Sequence, residues 1–165
     1  MKKLLAILLL ATPAFAAAPA PKLSITDFKQ LPVVLTQPYD EGANADAALA
    51  AAFARAQKSH KRVLIDLGGN WCVDCIVLAN FLKLPEMQRF MAAHYEVVTV
   101  DVGRFNRNLQ IPARFGVTQK LEGVPALLIA TPDGNLVNGK DVFATASASE
   151  MTPKSVADYL AKYAQ

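Results

Sequence analysis

At 165 residues, 53% of them apolar and 19% charged, the chain is long enough for one domain with a proper core and some length left over, which excludes a disordered or disulfide-stapled scaffold. Its formal net charge of +3 includes Lys2 and Lys3 at the very start, without which 15 basic residues face 14 acidic ones. Such a near-neutral chain has no basic run and so no footing for nucleic acid, which is held by clustered Lys and Arg.

Met1-Lys2-Lys3, the apolar run Leu4 to Leu10 and the small residues of Ala14-Phe15-Ala16 have the three regions of a secretory signal peptide, so residues 1–18 are predicted to be removed, with cleavage after Ala16 or Ala18. The apolar run stops at Pro13, short of the ~20 residues that cross a bilayer, so a permanent anchor is the weaker reading and the mature protein is expected to be soluble. Residues 19–43 are rich in Ala and Pro without a sustained period, which reads as an extension or linker that adds an edge strand around Val33 to Leu35. The domain proper is placed at 44–165.

Asp46 to His60 is Ala-rich, with Leu49, Ala52, Phe53 and Ala56 at helical spacing, and predicts an amphipathic helix. Arg62 to Leu67 is a short apolar run suited to a buried parallel strand. Gly68-Gly69-Asn70 breaks it. Trp71 to Leu84, stopped by Pro85, predicts a helix with two cysteines in its first turn, and Glu86 to His94 a second helical piece. Glu96 to Val102 reads as a strand, Asn108 to Phe115 as a short helix that tolerates Pro112, and Val124 to Ala130 as a strand. Pro132-Asp133-Gly134-Asn135 is a hairpin turn, with Leu136-Val137-Asn138 returning. Thr152-Pro153 then caps a helix to about Tyr163, with Val156, Tyr159, Leu160 and Tyr163 inward. This order implies an α/β fold, a central mixed sheet covered by helices on both faces.

The chain has two cysteines, Cys72 and Cys75. Export places them in an oxidising compartment, most simply a bacterial periplasm, where a structural disulfide is the bland alternative. In the chain-entropy model a bridge closing so short a loop stabilises by only about 2 kcal/mol, against ~4.7 for a 100-residue loop, so a staple would be poorly placed. At a helix N-terminus, unpaired N–H groups and the helix dipole favour a thiolate at Cys72, which becomes the nucleophile. Cys75, one turn later, is placed to resolve the mixed disulfide that Cys72 forms with a substrate. Zinc usually takes four Cys or His ligands, and His60 and His94 stand in no ligand spacing. Two thiolates can hold Cu(I), so a copper carrier remains the rival reading.

The stretch Asp66-Leu67-Gly68-Gly69-Asn70-Trp71-Cys72-Val73-Asp74-Cys75, with Gly123-Val124-Pro125 some way on, resembles the thioredoxin superfamily, and within it the C-terminal domain of the DsbD-type membrane thiol reductases. The resemblance implies a thioredoxin fold over about Asn44 to Gln165. It implies that Pro125 follows a cis peptide and faces the cysteines, and that the backbone of Val124 can pair with a substrate strand. Asp66 would be the buried acid that takes and returns the proton of Cys75; an Asp inside Val-Leu-Ile-Asp-Leu is costly to bury without such a role. Trp71, Val73 and Asp74 are assigned to the substrate-docking surface.

The departures are specific. Thioredoxins carry a bulky pair where this chain has Gly68-Gly69, a lysine near Val97, and Gly-Pro between the cysteines; the second acid of the DsbD domain falls on Ala79, for which Asp74 is a partial replacement. The expected activity is thiol-disulfide exchange, reductase or isomerase-like, on disulfide-bearing periplasmic proteins. No cofactor or metal is called for. A membrane thiol protein is the expected electron donor, and the oligomeric state is left open.

Overall fold

The computed structural model describes residues 17–32, 34–118 and 120–164. The predicted signal peptide therefore lies almost entirely outside the described residues. Among those residues no helix is long and apolar enough to cross a membrane.

Strand β1, Arg62–Gly68, is apolar on both faces and occupies the centre of a three-stranded sheet of order β2-β1-β3. It pairs in parallel with β2, Tyr95–Asp101, with Gly68 opposite Asp101. On its other side it pairs antiparallel with β3, Ala126–Ala130. Because strand side chains alternate, the odd residues Val63, Ile65 and Leu67 join one core with Val98, Val100 and Leu128. Helix α1, Ala45–Ser59, covers that face with Leu49, Ala52 and Ala56, and its start is capped by Asn44 accepting from the Ala47 N–H. Leu64, Leu127 and Ile129 join the other core, under α2 (Val73–Phe81), α3 (Pro85–His94) and α5 (Pro153–Tyr163). The fold is the expected α/β arrangement, a mixed sheet with helices on both faces.

Several boundaries differ from expectation, each for a local reason. The helix expected to reach Leu84 stops at Phe81, because the Lys83 and Leu84 N–H groups bond to Asn80 and Phe81 in tighter i→i+3 turns and Leu84 must be extended before Pro85. Helix α4 is only Gln110–Ala113, since Asn108 takes a left-handed φ of 52° and its amide is spent on the Asp101 carbonyl. The strand expected from Val124 begins at Ala126, after a cis Val124–Pro125 peptide.

The returning strand at Leu136-Val137-Asn138 does not form. It is reduced to one bridge between Ala130 and Leu136, because the Asn138 side chain takes over the pairing. Its Oδ1 accepts from the Ile129 N–H at 2.8 Å and its Nδ2 donates to the Leu127 carbonyl at 2.7 Å. Nor do Val34 and Leu35 form an edge strand, while Val33 is outside the described residues. Buried Asn80 accepts from both of their N–H groups, at 2.7 and 2.8 Å, and returns a hydrogen bond to the Leu35 carbonyl. The segment before α1 is thus folded against the domain, with Ile25, Leu31 and Tyr39 buried and Ser24 hydrogen-bonded to Glu86.

Candidate active site

Where β1 ends, Gly68-Gly69-Asn70-Trp71 turns the chain into α2, and Cys72 becomes the N-cap of that helix. Its Sγ accepts from the Cys75 N–H at 3.1 Å, so sulfur fills the place usually taken by a capping oxygen, at the positive end of the helix dipole. Cys72 and Cys75 are joined as a disulfide with their Cα atoms 5.2 Å apart. Cys75 is fully buried, whereas the residues flanking Cys72 are open: Trp71 is 41% and Val73 67% exposed. From across the site the Val124 carbonyl oxygen comes within 3.3 Å of Cys72 Sγ, with Val124 and Pro125 themselves buried.

Beneath the disulfide, Asp66 is 2% exposed. Burial pushes its carboxyl up to about 7, against the partial relief of a 2.8 Å hydrogen bond donated by the Tyr39 hydroxyl. The Tyr39 phenol is pushed well above its usual range, first by burial and then by the charge of Asp66. Tyr39 belongs to the segment ahead of the domain and is gripped at both backbone groups by Asn70, which accepts from its N–H at 3.0 Å and donates to its carbonyl at 2.9 Å. A cavity of about 490 Å³, lined by Leu35, Ala79, Lys83, Val97 and Thr99, runs down to Asp66. Ala79 and Val97, the positions where the resembled families carry an acid and a lysine, line this cavity with short side chains.

The paired glycines make room for the site. A Cβ at Gly68 would collide with the Tyr39 hydroxyl and sit 2.9 Å from Cys75 Sγ. One at Gly69 would sit 2.8 Å from Trp71 Nε1, which instead donates to the Gly103 carbonyl at 2.8 Å. The loop after β2 therefore rises beside Trp71. Arg104 lies over the indole at 5.0 Å, Phe105 packs edge-on to it at 5.8 Å, and Arg107 bonds to buried Asp101 at 3.1 Å.

Of the residues singled out from sequence, Cys72, Cys75, Trp71, Val73, Val124 and Pro125 meet at one end of the sheet, with Asp66 below them. Asp74 is turned aside, its carboxylate accepting from the Ser149 N–H at 2.8 Å and hydroxyl at 2.6 Å. Tyr39, Asn70, Asp101 and Ser149 escaped the sequence reading. A lone aromatic in the polar stretch Pro38-Tyr39-Asp40-Glu41-Gly42 was the one signal pointing to Tyr39. Among the described residues no group of three or more His, Cys, Asp or Glu gathers to hold a metal ion.

Residues 44–132 match the family model described as thioredoxin-like. Over 92 residues the chain is 34% identical to Thiol:disulfide interchange protein DsbD 1 of Pseudomonas aeruginosa, a match that covers 54% of this chain and 15% of that protein's length. It is also 34% identical to the solved disulphide isomerase of Xylella fastidiosa Temecula1, with a TM-score of 0.70 over 76% of this chain and 95% of that one. With a C-x-x-C pair capping a helix at the end of a buried central strand, and with these relatives, the chain belongs to the thioredoxin-like family of thiol-disulfide oxidoreductases.

Proposed function

We propose that this protein is an exported oxidoreductase that reduces or isomerises disulfides of other proteins in the periplasm. The observation that carries the reading is the pair Cys72–Cys75 at the start of α2 with Asp66 buried beneath it. In the reduced protein, Cys72 attacks a substrate disulfide as a thiolate stabilised by the helix N-terminus, forming a mixed disulfide and releasing one substrate thiolate. Asp66 accepts the proton of Cys75, whose thiolate then attacks Cys72 Sγ. The second substrate sulfur leaves as a thiolate and is protonated, so two electrons have passed to the substrate and Cys72–Cys75 is oxidised. If Cys75 does not intervene, the released substrate thiolate attacks another substrate disulfide, and the thiolate this frees attacks the mixed disulfide and expels Cys72 as a thiolate; the substrate pairing has changed and no electrons have passed.

The backbone of Val124, whose carbonyl faces the sulfur, serves as the rail for a substrate strand. Trp71 and Val73 form the docking rim, with Asp74 behind them at the start of α2, held by Ser149. A membrane thiol protein recharges the disulfide from outside, since an oxidising compartment does not. The Cu(I)-carrier reading draws no support from either relative.

Cys75→Ser removes the resolving thiol at the cost of one sulfur-to-oxygen change. Expressed with its signal peptide, this variant is expected to accumulate mixed disulfides through Cys72, seen as reductant-sensitive complexes on a non-reducing gel. The double variant Cys72→Ser, Cys75→Ser gives none. Absence of any covalent complex, together with no reduction of insulin by the wild type, would refute the oxidoreductase reading.

A further inference from the structure

From the juxtaposition of three buried groups we infer that Tyr39, contributed by the segment ahead of the domain, carries the proton between Cys75 and Asp66. The inference rests on the proposed role of Asp66 and adds the route by which its proton arrives. Asp66 and Gly68 lie on the same face of β1, two residues apart, and the Tyr39 hydroxyl occupies the space left by the missing Gly68 side chain. A Cβ at Gly68 would be under 3.0 Å from both the Tyr39 hydroxyl oxygen and Cys75 Sγ, so these two atoms lie less than twice that distance from each other. On its other side the same hydroxyl donates to Asp66 Oδ1 at 2.8 Å. A hydroxyl is both donor and acceptor, so it can receive a proton from one neighbour while passing its own to the other.

Other features bear on this placement. Tyr39 is not an accidental occupant: Asn70, in the turn that leads directly to Cys72, holds its backbone at both the N–H and the carbonyl. The position of the nucleophile and the position of the phenol are set by one turn. The cavity lined by Ala79, Val97 and Lys83 gives Asp66 its outlet to solvent, so the proton taken from Cys75 need not return past the substrate.

In the resolving step the Cys75 S–H bond breaks and its proton passes to the Tyr39 oxygen as the Tyr39 proton passes to Asp66 Oδ1. The phenol ends neutral and Asp66 ends protonated. The Cys75 sulfur, now a thiolate, forms the bond to Cys72 Sγ, and the bond from Cys72 Sγ to the substrate sulfur breaks with the electron pair leaving on the substrate.

Tyr39→Phe removes the hydroxyl and keeps the ring. A preformed mixed disulfide between Cys72 and a thionitrobenzoate leaving group reports resolution by Cys75, and the reaction of the reduced protein with the corresponding symmetrical disulfide reports the first attack by Cys72. The expected result is that Tyr39→Phe slows resolution by about tenfold or more and leaves the first attack within about twofold of wild type. Because the lost hydrogen bond also raises the Asp66 carboxyl further, the rates are compared where Asp66 is equally ionised in the two proteins, read from its carboxyl ¹³C shift. Lys83 and Asp101, the other charged groups about this network, are unchanged in both. In an Asp66→Asn background, Tyr39→Phe is expected to add less than about twofold, since the relay has lost its terminus.

Coincident rates at equal ionisation would mean that the hydroxyl only tunes Asp66, and would overturn the relay. Equal slowing of the first attack and of resolution would mark a disturbed site and overturn it too. If Asp66→Asn slows resolution while Tyr39→Phe does not, the relay fails and the role of Asp66 stands. If neither slows it, the proposed role of Asp66 fails as well.

Discussion

Burial of Asp66 should be visible in the stability of the oxidised protein as a dependence on pH that one substitution removes. An unfolded Asp titrates near 3.8, whereas in the fold burial moves this carboxyl to about 7. Between those values the folded state holds the proton and the unfolded state releases it, so stability falls as pH rises through the window and levels off above it. Over that span, at 1.36 kcal/mol per unit, the loss amounts to about 4 kcal/mol. Asp66→Asn keeps the shape and an acceptor for the Tyr39 hydroxyl but cannot ionise. It is expected to match the wild type near pH 4 to within about 1 kcal/mol and to exceed it by about 4 kcal/mol at pH 8. The assay is urea unfolding of the disulfide forms followed by fluorescence of Trp71, the single Trp of the chain, at intervals of half a pH unit. The lowered carboxyls of Glu86, Glu96 and Asp141 are common to both proteins and cancel in the difference. A difference that stays flat above pH 5, or that is complete by pH 5, would show that Asp66 titrates as an ordinary carboxyl and would refute the account of the site as a buried, proton-holding acid.

Asn80→Ala leaves the Val34 and Leu35 N–H groups and the Leu35 carbonyl without their side-chain partner, and should lower stability by about 2–4 kcal/mol in the same urea assay. A loss below about 0.5 kcal/mol would show that water replaces Asn80 and that the segment is not pinned by it. Replacing Arg104, Phe105 and Arg107 together with Ala strips the loop that rests on Trp71 and should weaken reduction of a protein disulfide about fivefold or more while sparing cystine. Parallel loss on both substrates would mean that the loop shapes the active site and is not a docking surface.

Much of this was legible because it is local. Four apolar residues in Arg62–Gly68, bounded by a lysine and a glycine pair, can be little else than a central strand. The Thr152-Pro153 start of α5 is a capping box that any helix of that composition would use. The C-x-x-C pair was readable for the same reason, since strand, break and helix follow one another without interruption. What was not legible depends on partners far along the chain. Leu136-Val137-Asn138 has a strand's composition, and nothing local says that the Asn138 amide will replace two backbone groups and reach Tyr159 as well. The stretch that holds Val34, Leu35 and Tyr39 reads as linker because its own sequence has no period; its order is imposed by Asn80 and Asn70, side chains 31 to 46 residues later.

That distinction also separates two kinds of departure from the resembled families. At Ala79 and Val97 a comparison of residues reports only a missing acid and a missing lysine, which suggests a weaker site. In three dimensions the same two short side chains open the cavity that leads to Asp66, and Gly68 opens the space that the Tyr39 hydroxyl fills. A bulky residue at the position of Gly68 and a tyrosine at the position of Tyr39 compete for one volume. The glycine pair and the ordered segment ahead of the domain are therefore two halves of a single solution, and each is intelligible only with the other in place. At Ala79 and Val97 the acid and the lysine of the resembled families are replaced by short apolar side chains, which line the cavity beside Lys83. What reaches the acid instead is the Tyr39 hydroxyl, which donates to its carboxylate at 2.8 Å and is set in position by the same turn that presents Cys72.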